Sequence, residues 1–173
     1  NMNYTFDNHI EGKCNRLARS AGMAVAVSPG NTAFNPLYIY GDSGLGKTHI
    51  AQAIGHEVRQ RHPELQVLYV SMNKFQAQFQ TAYKNGEITD FIHFYQMVDV
   101  LIIDDIQELT GKTGTQNAFF NISNTRYRLD NKQYYIRFSN AAICRLNHKI
   151  AKRSAWFMHS RSVEKNILIL ALC

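Results

Sequence analysis

Gly41-Asp42-Ser43-Gly44-Leu45-Gly46-Lys47-Thr48 decides the fold. The stretch fits G-x-x-x-x-G-K-[ST] at every defined position, a spacing that serves phosphate binding. Glycines let successive backbone N–H groups turn inward around a phosphate without Cβ clashes. A helix beginning at the end of the loop adds its own free N–H groups and the positive end of its dipole. Lys47 then reaches the β- and γ-phosphates in a catalytic role, and the Thr48 hydroxyl takes a place on Mg²⁺. Apolar Leu37-Tyr38-Ile39-Tyr40 before the loop reads as a strand, while Ile50, Ala53, Ile54 and Val58 after it recur at helical spacing. Strand, loop and helix in that order predict a nucleotide site.

A second chemical element lies downstream in Val98-Asp99-Val100-Leu101-Ile102-Ile103-Asp104-Asp105. Val100 to Ile103 is a continuous apolar run, as expected of a strand buried on both faces. Two carboxylates follow at its carboxyl end, which in an open parallel sheet faces the ligand crevice. Asp104 is placed to hold Mg²⁺, directly or through its waters, because this hard ion takes oxygen ligands and keeps water. Asp105 is placed as the catalytic group that orients or polarises the attacking water. Paired acids at strand ends also cap helices, but the phosphate loop upstream favours the metal reading. Gly111-Lys112-Thr113 is no second phosphate loop, since Ile106 stands where its first glycine would be needed.

Between and around these two elements the periodicity alternates. Helices are expected over 14–27, from the phosphate loop to about Gln60, and over 73–84 and 87–96; a second strand is expected over Val67–Val70, ending at Ser71. Breakers punctuate them at Ser28-Pro29-Gly30-Asn31, Arg61-His62-Pro63 and Asn85-Gly86. Strands separated by helices imply parallel crossovers, hence a three-layer α/β P-loop fold with a mostly parallel sheet. The 173 residues suit one such domain. No 18-residue apolar run exists to span a membrane, and no charged-then-apolar leader opens the chain. Cys14, Cys144 and Cys173 are odd in number and far apart, which points to free thiols in a reducing, cytoplasmic setting.

The net charge of +6 divides unevenly. Up to Thr125, nine Lys and Arg stand against eleven Asp and Glu; from Arg126 onward, ten stand against two. The body is slightly acidic and the last quarter strongly basic, so the tail is the part suited to nucleic-acid phosphates.

At this point the residues resemble a family. Asn3-Tyr4-Thr5-Phe6-Asp7-Asn8-His9-Ile10-Glu11-Gly12, Asn15-Arg16-Leu17-Ala18, the loop run through His49, and Leu101-Ile102-Ile103-Asp104-Asp105-Ile106-Gln107 are similar to the bacterial chromosomal replication initiator (DnaA) family. More narrowly, they resemble its central AAA+ ATPase domain, over about residues 1–125. The resemblance implies an AAA+ protein switched by ATP, which assembles with its neighbours on the replication origin and helps open the duplex. It implies that Tyr4, Phe6 and Ile10 lie near the adenine, and that His49 belongs to the nucleotide loop. It also implies that the helices between Ser71 and Val98 are an insertion that steers assembly and lines a single-stranded DNA path. Lys112 falls where the family touches that DNA. Gly114 replaces a second basic residue, and Gln80 stands where a β-branched contact is usual.

After Asn124 the resemblance fades. Lys132-Gln133 matches the start of a family strand, and Asn140 reaches the γ-phosphate sensor position only with a one-residue insertion. Arg145, Arg153 and Arg161 are candidate arginine fingers, with no local motif to choose among them. Residues 126–173 therefore read as a diverged, frame-shifted or truncated remainder of the same domain. Arg137 is expected in a buried layer, and the run Ile167–Leu172 has no evident partner. Alternatives to the initiator are a helicase loader or related regulator on the same core, and a P-loop small-molecule kinase. The kinase would need its own substrate-phosphate arginines and lid.

Overall fold

A computed structural model of the chain describes residues 3–30, 32, 37–128, 134–140 and 168–172. Five parallel strands form one sheet: β1 (Leu37–Gly41), β2 (Val67–Ser71), β3 (Val100–Asp104), β4 (Tyr134–Asn140) and β5 (Leu168–Leu172), in the order β2-β3-β4-β1-β5. The helices are α1 (Arg16–Val27), α2 (Lys47–Arg61), α3 (Met72–Asn85), α4 (Ile88–Met97) and α5 (Thr113–Arg128). A 3-10 turn, Ile106–Leu109, lies between β3 and α5.

The sheet is covered on both faces, and β3 carries the proof in its alternation. Val100 and Ile102 join a core with α1, α2, Leu37 and Ile39; Leu101 and Ile103 join a second core with α3, α4, α5 and Val70. A period of two on a strand buried everywhere is what a three-layer arrangement requires. Helix ends follow local chemistry. The Ser71 hydroxyl accepts from the Lys74 N–H to start α3, and Gly86 stops it in the left-handed region at φ 76°.

The expected strands and helices are present, with ends displaced by one or two residues. One expectation changes. The apolar run near the C-terminus has a partner, because β5 pairs in parallel with β1, Leu37 against Leu168 through Gly41 against Leu172. An apolar run of this length is stable as a strand once a neighbour's free edge supplies its hydrogen bonds. β4 lies between β3 and β1, with Arg137 in register with Ile103 and Tyr38.

Candidate nucleotide and metal site

The phosphate loop leaves β1 at its carboxyl end and enters α2. Gly44 and Gly46 have φ of 84° and 82°, the left-handed region in which glycine pays no Cβ penalty. Gly46 is also the cap residue of α2, and its carbonyl accepts from the Ile50 N–H at 2.9 Å. Lys47 is the first helical residue and is only 8% exposed. Its ammonium donates to the Asp42 carbonyl at 2.5 Å, closing the loop upon itself. Burial lowers the Lys47 pKa, and the charges of Asp104, Asp105 and Asp42 oppose that shift. Ser43 and Leu45 complete the loop, Ser43 exposed and Leu45 packed against the α1–α2 core.

The two motifs meet at one contact. Thr48 Oγ1 donates to Asp104 Oδ2 at 2.8 Å across 56 residues of sequence. Asp104 is 3% exposed, and its other oxygen accepts from the Asp105 N–H at 3.0 Å. A hydroxyl and a buried carboxylate side by side at the mouth of a phosphate loop form the oxygen donor set that suits Mg²⁺ shared with phosphates. Asp105 turns into the left-handed region at φ 57° and ψ 44°, a conformation that Asp tolerates better than most side chains. Its Oδ1 accepts from Gln107 Nε2 at 2.8 Å. Gln107 is buried, and the Asp105 carboxylate dictates its amide orientation, since only the NH₂ group can face it.

The opening segment folds against the start of α2. Tyr4 stacks on His49, with ring centroids 4.8 Å apart, and His49 Nε2 donates to the Thr5 carbonyl at 2.8 Å. His9 meets His49 edge-on at 5.0 Å, and a Cβ at Gly46 would stand 3.3 Å from its Nε2. Phe6 is buried in the α1–α2 core, beneath the Arg19 guanidinium at 5.7 Å. Ile10 is 88% exposed. The three residues expected near an adenine thus occupy three settings: beside the loop helix, in the core and at the surface. The Lys112 ammonium donates to Gln76 Oε1 of α3, one helical turn from exposed Gln80.

Sequence reasoning did not single out Tyr69, Gln107 or His9. Tyr69 of β2 donates to Asp104 Oδ2 at 2.8 Å, the oxygen that Thr48 also uses. The only sequence signal for it is a hydroxyl inside an otherwise apolar strand. Asn140 ends β4 in register with Gly41, at the root of the phosphate loop. Arg145, Arg153 and Arg161 lie outside the described residues. Among the described residues, no helix is long and apolar enough to cross a membrane.

Comparisons with known proteins agree with this geometry. The family model described as the bacterial DnaA ATPase domain matches residues 1–156, beyond the point where the motifs fade. The chromosomal replication initiator protein DnaA of Flavobacterium psychrophilum is 49% identical over 98% of this chain, which spans 37% of that protein's length. AMPPCP-bound DnaA from Aquifex aeolicus superposes with a TM-score of 0.85 at 33% identity, over 100% of this chain and 50% of that one. A replication initiator DnaA bound to AMPPCP and single-stranded DNA gives 0.82 at 33% identity, over 100% of this chain and 51% of the other. With both nucleotide motifs joined on a covered parallel sheet and the match running through nearly the whole sequence, the chain belongs to the bacterial DnaA ATPase-domain family.

Proposed function

We propose that this domain binds ATP with Mg²⁺ and serves as the slow ATPase switch of a cytoplasmic chromosomal replication initiator, assembling through AAA+ neighbours on origin DNA and helping to open it. The observation that carries the reading is the Thr48–Asp104 contact, which joins the end of the phosphate loop to the end of β3. Gly41 to Thr48, with His49 behind them, hold the nucleotide; Tyr4, Phe6 and Ile10 belong to the segment beside its base. Thr48 and Asp104 would hold the cation, which would neutralise negative charge on the phosphates. Lys47 supplies a second positive charge there, and Asp105 accepts a hydrogen bond from the attacking water. The bond from Gln107 fixes the direction in which Asp105 can do so. Lys112 contributes to a single-stranded DNA contact, a role that rests on the family resemblance at this position. Residues 126–173 are a diverged, frame-shifted or truncated remainder of the same domain.

Thermal denaturation with Mg·ATP and Mg·ADP tests the site. Ligand at 100 times its dissociation constant stabilises the domain by about 2.7 kcal/mol. Lys47→Ala is expected to remove most of that effect, and Asp105→Asn to keep it while slowing phosphate release. A folded wild-type sample with no response to either nucleotide would sink the reading.

A further inference from the structure

Asp104 is held by more donors than either motif supplies. Thr48 of α2 and Tyr69 of β2 both donate hydroxyl hydrogens to Oδ2 at 2.8 Å, and the Asp105 N–H reaches Oδ1 at 3.0 Å. A carboxylate oxygen has roughly two acceptor positions. Oδ2 therefore has both of its positions filled by hydroxyls, and Oδ1 keeps one. Three donors, from α2, β2 and the residue that follows Asp104 itself, fix the plane of the carboxylate and leave a single direction for a further partner.

The fold explains why Tyr69 is the residue that reaches. β2 and β3 run parallel, with Tyr69 paired to Ile102 and Ser71 paired to Asp104. Tyr69 is thus the diagonal neighbour of Asp104 and packs against the same core as Ile102. An aromatic side chain is long enough to span such a diagonal. Burial raises the Tyr69 pKa, and the negative charge of Asp104 raises it further. Facing a carboxylate oxygen at 2.8 Å, the phenol is the donor of this bond. The Gln52 side chain bonds the same phenol from α2, one turn beyond Thr48, so the helix that carries the phosphate loop also steadies Tyr69.

We propose that Tyr69 is a positioning residue for the divalent cation: its phenol, steadied by Gln52, holds the Asp104 carboxylate in the orientation that receives hydrated Mg²⁺ beside a bound nucleotide. The proposal rests on the reading that Asp104 serves the cation, and it adds a residue from a strand that neither nucleotide motif includes. Removing such outer partners typically weakens metal binding about 10–100-fold.

Tyr69→Phe keeps the ring and deletes only the donor. Binding of a fluorescent ATP analogue is titrated with Mg²⁺ in the wild type, Tyr69→Phe and Gln52→Ala, and repeated in EDTA. For Tyr69→Phe, the Mg²⁺ concentration at half effect is expected to rise about tenfold or more, with wild-type affinity in EDTA. Gln52→Ala moves the same quantity in the same direction by a smaller factor. Mn²⁺ binding followed by electron paramagnetic resonance reads the cation directly and should weaken in parallel. A wild-type Mg²⁺ titration curve in Tyr69→Phe, or an equal loss of affinity with and without Mg²⁺, overturns the proposal. A wild-type protein whose nucleotide binding ignores Mg²⁺ overturns the reading of Asp104, and this proposal with it.

Discussion

The imidazole of His9 is pressed between the phosphate loop and the start of α2, 8% exposed, with Nδ1 buried and unpartnered. Burial lowers its pKa from the usual 6.5, and the neighbouring His49 and Arg19 lower it further, while Glu11 acts the other way. The folded value lies below the unfolded one, so the unfolded chain binds more protons in the interval between them. Stability then rises with pH through that interval and is lost as pH falls below about 6.5. The thermal midpoint of the wild type is expected to drop between about pH 7.5 and pH 5.5, and His9→Phe should flatten that part of the profile. Identical pH profiles for the two proteins would show that His9 does not titrate in this way. The same residue shows what a single sequence conceals. Lys47, Thr48, Asp104 and Asp105 are legible because spacing along the chain dictates their chemistry. His9, Tyr69 and Gln107 act through partners 2 to 40 positions away that only folding brings close.

At the scale of the elements, the face of the sheet away from the phosphate-loop helix is organised by Phe75 of α3. Its ring lies 5.1 Å from Phe91 and 4.8 Å from Tyr95 of α4, and 5.8 Å from Phe119 of α5, centroid to centroid and all edge-on. One fully buried side chain therefore ties three helices together. Phe75→Ala is expected to cost about 3–5 kcal/mol in urea denaturation, and Phe75→Leu clearly less. An equal cost for both would argue that ring geometry, rather than volume, decides. The periodicity of Phe75, Phe79 and Ala82, and of Phe91 and Tyr95, made these helices legible along with the faces they bury. The pairing of β5 was not legible. An apolar run announces a strand and says nothing of which edge it will join, because that choice depends on the edge β1 leaves free.

For the whole molecule, the sheet order decides which segments depend on which. Within the sheet, β4 is the strand that joins the β2-β3 pair to the β1-β5 pair. Docking there predicts that amides of Tyr134–Phe138 exchange as slowly as those of Val100–Ile103, since both would open only by global unfolding. Fast exchange at 134–138 beside slow exchange at 100–103 would show that residues beyond 125 are no native continuation of the domain. The position of β4 also imposes a schedule on synthesis. Thr48 and Asp104 are translated early, yet β1 and β3 do not pair with each other, and the sheet joins them only through β4, which lies between them. At about 5–20 residues per second, the interval from Asp104 to Asn140 takes roughly 2–7 s on the ribosome. During that time the nascent chain carries both halves of the nucleotide site without the strand that aligns them. This order predicts that nucleotide stabilises the domain mainly after the sheet has closed, with ATP acting as a late clamp on the fold.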